Sequence, residues 1–236
     1  MYGISTYALH TLPLGNALDM ISEVTRYAEV MDDGCHFLSD AEPLQSHSLR
    51  YTIHAPSRSV NIASTLEPIR QASVEVIDAC FAIAAEVNAG VVIHPGYCAW
   101  QTERERSRGQ LMRSIADLAA MAEERSIQFS VENMAWEYFF LLTPDELPLP
   151  EGAGFALDVG HAHIMGCLPA FLQERIDHIH LHDNDGTNDT HSAVGAGTID
   201  FVPVMDAVRK NGITPVVEVG SIEGALESII VLDQIS

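Results

Sequence analysis

Two rhythms of apolar residues alternate along this chain. Short apolar runs of the kind that fill a buried strand are separated by longer stretches in which apolar positions recur every three or four residues, the period of a helix packed on one face. Residues 2–9 predict a first strand, and Leu18, Ile21 and Val24 predict a helix over 17–30. A weak second strand is expected at 35–38. Residues 51–54 form the third and stop at proline in His54-Ala55-Pro56. Ile69, Ala72, Val76, Ala79 and Ile83 mark the buried stripe of a helix over 66–87. Residues 91–93, opened by Gly90 and closed by His94-Pro95-Gly96, are the fourth strand.

The second half repeats the plan. Leu111, Ile115, Leu118 and Ala122 give a helix, and the strand at 127–131 ends in Glu132-Asn133. A proline-rich connection, 143–150, precedes a sixth strand at 155–157, followed by a short helix near 169–175. The seventh strand, 176–181, leads into a long polar loop, 183–198. A helix over 201–209 precedes the eighth strand, 215–217, and 223–235 predicts a last helix. Strand and helix signals alternating in this way predict a parallel (β/α)8 barrel, with a single domain expected across residues 1–236.

The polar residues fall where such a barrel keeps its chemistry. His54, His94, Glu132, Asp158 and Glu218 each follow an apolar run directly, and His180 lies near the end of the seventh strand. In a barrel these strand ends converge on one mouth. Burying three carboxylates with three imidazoles is costly without a cation to compensate, so the pattern predicts a metal site. Mixed imidazole and carboxylate donors suit zinc, manganese or iron better than calcium or magnesium. His161, Asp189 and His191 lie on the following loops, within reach of the same mouth. His178, His180 and His182 share one face by the two-residue period, so strand parity alone does not choose among them.

Charge narrows the partners. Twelve Lys and Arg against 33 Asp and Glu give a net charge of −21, and Lys210 is the only lysine. That field repels polyanions and disfavours nucleic acid, although such acidity also fits a salty cytoplasm, where salt screens surface charge. The densest basic stretch, 104–113, reads as the solvated face of an amphipathic helix. Cys35, Cys80, Cys98 and Cys167 show no CxxC spacing, which fits reduced thiols. No run of about 18 apolar residues occurs, and the first residues lack the basic and apolar regions of a signal peptide, so a cytoplasmic protein is expected.

Taken in order, HAP, HPG, EN, LDxGH, HLHD, DxH with GxGxxDF, and VVEV resemble the motifs of the xylose isomerase-like TIM barrels, across roughly residues 51–220. This superfamily includes endonuclease IV, the tagatose and psicose epimerases, hydroxypyruvate isomerase and inosose dehydratase. The resemblance implies that Glu132, Asp158, His180 and Glu218 match the single-metal site of the epimerases, and it selects His180 over His182. It also implies that His54, His94, His161, Asp189 and His191 match the further ligands of the trinuclear zinc site of endonuclease IV.

Two activities follow from that resemblance. In the first, a sugar or small polyol is isomerised or epimerised through an enediolate. Glu132 and Glu218 would exchange the proton, His161 would orient a substrate oxygen, and a divalent ion (zinc or manganese, one to three ions) would polarise the carbonyl. In the second, an abasic-site (AP) endonuclease of the endonuclease IV kind, Glu132 would bridge two of three zinc ions. The charge and the single lysine oppose a DNA duplex and favour the first activity. Trp136, Tyr138 and Phe139 are candidates to wall a substrate pocket, with core packing or a dimer contact of a homo-oligomer as the alternative. Arg58, four residues beyond His54, is the candidate contact for an anionic substrate, with a solvated loop arginine as its alternative.

Overall fold

The computed structural model describes residues 1–235. Eight parallel strands close into a barrel in sequence order: β1 (Gly3–Ser5), β2 (Tyr27–Met31), β3 (Arg50–His54), β4 (Gly90–Ile93), β5 (Phe129–Glu132), β6 (Ala153–Asp158), β7 (His178–Leu181) and β8 (Val216–Val217). Pairing of Gly3 with Val216 and of Ile4 with Val217 seals it. The helices are α1 (Leu14–Val24), α2 (Glu42–Gln45), α3 (Glu67–Glu86), α4 (Arg104–Arg125), α5 (Val159–Ile164), α6 (Leu168–Phe171), α7 (Phe201–Asn211) and α8 (Ile222–Ile235). Among the described residues, no helix is long and apolar enough to cross a membrane.

The N-terminal quarter departs from the expected elements. The first strand stops at Ser5 and continues as a 3-10 turn, Thr6–Leu9. The first helix ends at Val24, where Thr25 turns extended at φ −141° and ψ 170°, instead of running on to residue 30. Strand β2 is Tyr27–Met31, and the stretch expected as the second strand holds a 3-10 turn, Gly34–His36. A strand buried on both faces normally reads as a continuous apolar run. Glu29 interrupts this one, so the segment resembled the end of an amphipathic helix.

Helix α3 also turns a different face inward. Ile69 and Val76 are 50% and 40% exposed, and the buried side is Arg70, Ser73, Val74, Ile77, Cys80, Phe81, Ile83 and Ala84. Arg70 donates to Ser114 Oγ at 3.0 Å and Asp117 Oδ2 at 2.8 Å on α4, and to Glu67 Oε1 at 2.8 Å on its own helix. With its charge paired, the guanidinium is accommodated in the α3–α4 seam, while Ile77 and Phe81 fill the core. On α4 the expected Leu111, Ile115, Leu118 and Ala122 are the buried stripe.

The base of the barrel is polar. The Tyr27 ring packs where a Cβ on Gly3 would collide with it, bonds Thr52 Oγ1 at 2.7 Å, and carries the Arg50 guanidinium 3.8 Å from its centre. A cavity of about 720 Å³ opens there among the first residues of the strands and reaches His178. At the opposite end, β3, β5 and β6 terminate in His54, Glu132 and Asp158, and His180 pairs in register with Asp158. The long loop after β7 is organised by Asp183, whose Oδ2 accepts the N–H of Gly195 at 3.0 Å and of Gly197 at 2.9 Å, while Oδ1 accepts that of Ile199 at 3.1 Å. A Cβ on Gly197 would strike Asn184 and Asp183, so the close wrap requires glycine. That wrap holds Asp189 and His191 over the barrel mouth.

Candidate metal centre

All nine candidate donors converge at the mouth, in three groups, two of which share Glu132. His54, His94 and Glu132 form one group, Glu132, Asp158, His180 and Glu218 a second, and His161, Asp189 and His191 a third, with the facing donor atoms of each group within 4.8 Å of one another. Glu132 Oε2 lies 3.3 Å from His54 Nε2 and 3.1 Å from His94 Nε2. Its Oε1 faces His180 Nδ1 at 3.3 Å and His161 Nδ1 at 3.5 Å. Glu218 Oε2 is 3.5 Å from His180 Nδ1, and Asp189 Oδ2 is 3.3 Å from His161 Nε2 and 3.2 Å from His191 Nε2.

The main chain orients three of these imidazoles. His54 Nδ1 is 3.1 Å from the Ala55 carbonyl, His161 Nδ1 is 3.0 Å from the Asn133 carbonyl, and His191 Nδ1 is 2.9 Å from the Glu218 carbonyl. A carbonyl only accepts, so each Nδ1 carries the proton and each neutral ring turns its Nε2 lone pair toward a carboxylate. Two lone pairs facing each other at 3.2–3.3 Å repel unless a cation lies between them, either a proton or a metal ion. The buried Asp189 Oδ1 has no hydrogen-bond donor. The donor set therefore fits divalent metal, with outer carbonyls fixing the rings as such sites require.

Without metal, protons supply the compensation. Burial alone would lower the pKa of His54, but the hydrogen bond and charge of Glu132 hold it up at about 9. His161 is likewise desolvated yet raised to about 10 by Asp158, Asp189 and Glu132, and His191 to about 9 by Asp189 and Glu218. Burial would raise Glu132, but His180 and His94 keep it well below the usual carboxylate range. His94 is lowered, because burial outweighs the pull of Glu132.

Several contributors carry no signal that periodicity or strand ends reveal. Glu29, on β2, meets both His178 and His180 at 2.7 Å. Asn133, part of the EN motif, clamps Asp158 by accepting its N–H at 2.7 Å and donating to its carbonyl at 3.0 Å. Asp158 Oδ1 also accepts the His161 N–H at 2.7 Å, capping α5. His182 lies 3.0 Å from Asp158 Oδ1 and stacks on His191 with ring centres 4.1 Å apart. It occupies the space beside Gly160 so fully that a Cβ there would overlap its ring. Above the donors, a cavity of about 510 Å³ is lined by Tyr7, Tyr97, Trp136, Phe139 and the exposed Arg58. Trp136 also meets the His161 ring edge-on, with centres 6.4 Å apart. Tyr138 packs on Phe139 behind that wall.

The family described as xylose isomerase-like TIM barrel matches residues 41–230, and the chain belongs to it. An uncharacterized protein of Methanocaldococcus jannaschii, MJ1614, is 35% identical over 198 residues, covering 80% of this chain and 78% of its own. Among solved structures, a D-tagatose 3-epimerase-like protein has a TM-score of 0.91 and 26% identity, covering 99% of this chain and 96% of its own. The TTHB071 protein of Thermus thermophilus, soaked with ZnCl2, has a TM-score of 0.79 and 21% identity over 100% and 98% of the two chains.

Proposed function

We propose that this chain is a divalent-metal-dependent isomerase or epimerase of a sugar or small polyol. The observation that carries this reading is the mouth cavity of about 510 Å³, whose wall holds Glu132 and Glu218 beside aromatic rings. That volume suits a small molecule. Similarity to a D-tagatose 3-epimerase-like protein supports it, as does the charge of −21, which disfavours a polyanion. Glu132, Asp158, His180 and Glu218 would hold the ion, which supplies polarisation of a carbonyl and its neighbouring hydroxyl. One of Glu132 and Glu218, ionised, takes the proton from the adjacent carbon as the electron pair moves to the carbonyl oxygen, and the other, in its protonated form, returns a proton to the opposite face of the resulting enediolate. His161, held by the Asn133 carbonyl, orients a substrate oxygen, and Trp136 covers it. The four cysteines are unpaired and fit the reducing cytoplasm as the site of action.

The test is epimerisation and isomerisation of ketoses, aldoses and their phosphates by zinc- or manganese-loaded protein in deuterated water. Deuterium should enter the carbon that inverts. Failure of every sugar and polyol to exchange would remove this reading.

The complete nine-donor set supports a second reading, a zinc-dependent abasic-site endonuclease in which these nine residues would hold up to three ions that supply a hydroxide and neutralise a phosphate. It is weakened by a mouth whose cavity wall offers Arg58 as its cationic side chain of the Lys or Arg type. Three tightly held zinc ions together with nicking of an abasic-site duplex at low protein concentration would establish it in place of the first.

A further inference from the structure

Glu29 is fully buried in the middle of β2, yet its partners stand on β7, which is not its neighbour in the sheet. The carboxylate reaches across the barrel interior. Its Oε1 lies 2.7 Å from His180 Nε2, and its Oε2 lies 2.7 Å from His178 Nε2. The two imidazoles stand edge to face with centres 5.0 Å apart, and His178 borders the polar cavity at the barrel base.

This contact reverses the orientation of His180 relative to its companions. His54, His161 and His191 give Nδ1 to a main-chain carbonyl and turn Nε2 toward carboxylates. His180 sets Nε2 in ion-pair contact with Glu29 at 2.7 Å and turns Nδ1 toward Glu132, Glu218 and Asp158, at 3.3, 3.5 and 3.9 Å. A neutral imidazole has one N–H and one lone pair; carboxylates face both nitrogens, at 2.7 Å from Nε2 and at 3.3 Å or more from Nδ1, and the nearer charge draws the proton to Nε2. The lone pair is then left on Nδ1. A full negative charge beside the outer nitrogen also makes the inner one a stronger donor than a neutral carbonyl would.

We infer that Glu29 is a positioning residue of the metal centre: it locks His180 as the Nε2–H tautomer with Nδ1 presented to Glu132, Asp158 and Glu218, while His178 holds the second oxygen of Glu29. The inference rests on reading those four residues as a metal site. A carboxylate buried without such a task is costly, and the pair of imidazoles is what makes it tolerable here.

Long-range proton–nitrogen NMR of the histidine rings in the zinc-loaded wild-type chain reads which His180 nitrogen keeps its proton, and a proton on Nδ1 with Nε2 bare overturns the inference without any substitution. Zinc titration against a competing chelator then compares wild type with Glu29→Gln, Glu29→Ala, His178→Ala and His180→Ala. Glu29→Gln is nearly isosteric, and its thermal unfolding reports that it folds. One zinc equivalent should bind about 10- to 100-fold more weakly in Glu29→Gln, with the others unchanged, and His178→Ala should show a smaller loss. If His180→Ala loses an ion while both Glu29 variants bind as wild type does, the metal reading stands and the role of Glu29 falls. If His180→Ala keeps the full complement, both fall.

Discussion

His94 Nε2 lies 3.1 Å from Glu132 Oε2, and the two differ sharply in access: the His94 side chain is 23% exposed and that of Glu132 1%. His54 reaches the same oxygen at 3.3 Å from a buried position. The other Glu132 oxygen serves His180 and His161. If the mouth holds more than one ion, replacing both His54 and His94 by alanine should remove one metal equivalent per chain and leave the group of Glu132, Asp158, His180 and Glu218 able to bind. Elemental analysis of the purified protein measures this. Unchanged stoichiometry would make both histidines substrate contacts.

Asp158 is expected to be irreplaceable for metal. It stands in register with His180, accepts from His182, and caps α5 through the His161 N–H. Asp158→Ala should lose the ion of the four-donor group and also about 1 kcal/mol of stability from the missing cap. Asp158→Asn, which can still accept the N–H, should lose the ion with a smaller stability cost. A full metal complement in the alanine variant would remove Asp158 from the ligands.

Arg58 lines the cavity and is the cationic side chain available there to an anionic substrate. Arg58→Ala should raise KM for a phosphorylated or carboxylated substrate by about one to two orders of magnitude, the scale of losing a charge-assisted contact of roughly 1.5 to 3 kcal/mol. A neutral sugar should be hardly affected. Equal kinetics on every anionic substrate would assign Arg58 to the solvated surface.

Arg70 should matter more to stability than the neighbouring isoleucine. Arg70→Met leaves Asp117 and Ser114 without their guanidinium and should cost about 1 to 3 kcal/mol. The half-exposed Ile69 should tolerate alanine within about 0.5 kcal/mol. Urea denaturation of the two variants separates these outcomes, and equal midpoints would contradict the assignment of the α3 face.

Asp32 sets an acid-side dependence. Burial raises its carboxyl to about 6, despite a hydrogen bond from the Leu38 N–H at 2.6 Å. Its unfolded value is about 3.9, so the folded state binds this proton more tightly. The contribution to stability is therefore full below about pH 4 and is lost as pH rises through about 6, a span worth about 2 to 3 kcal/mol. Relative to wild type, Asp32→Asn should gain stability steadily from about pH 4 to about pH 6 and then level off. Parallel stability profiles for the two proteins would refute the shift.

The barrel and most of its mouth were legible because strand ends are punctuated. Glu132 and Asp158 each end an apolar run, and His94 precedes a Pro-Gly turn, so their polarity announced itself at the place where a barrel does its chemistry. Glu29 was hidden by the same logic. Its polarity lies inside a strand rather than at the end of one, and Leu18, Ile21 and Val24 extended a helical rhythm over it. The α3 stripe failed because periodicity weighs hydrophobicity and cannot see that Asp117 and Ser114 on another helix make Arg70 a tolerable buried residue. Parity leaves His178, His180 and His182 equivalent; the resemblance selects His180, and the partners that fix the three rings are distant in sequence, Glu29 for the first two and Asp158 for the third.

The packing of His182 on Gly160 couples the two positions. His182 is the third residue of HLHD and fills the space beside Gly160. An imidazole in that position requires glycine at 160, since the Cβ of any other residue would occupy the ring's place. Loss of the histidine, by contrast, frees position 160 to drift. Relatives should therefore fall into a class with glycine and histidine together and a class varied at 160 without the histidine, and a side chain at 160 beside histidine at 182 should be the combination that descent avoids.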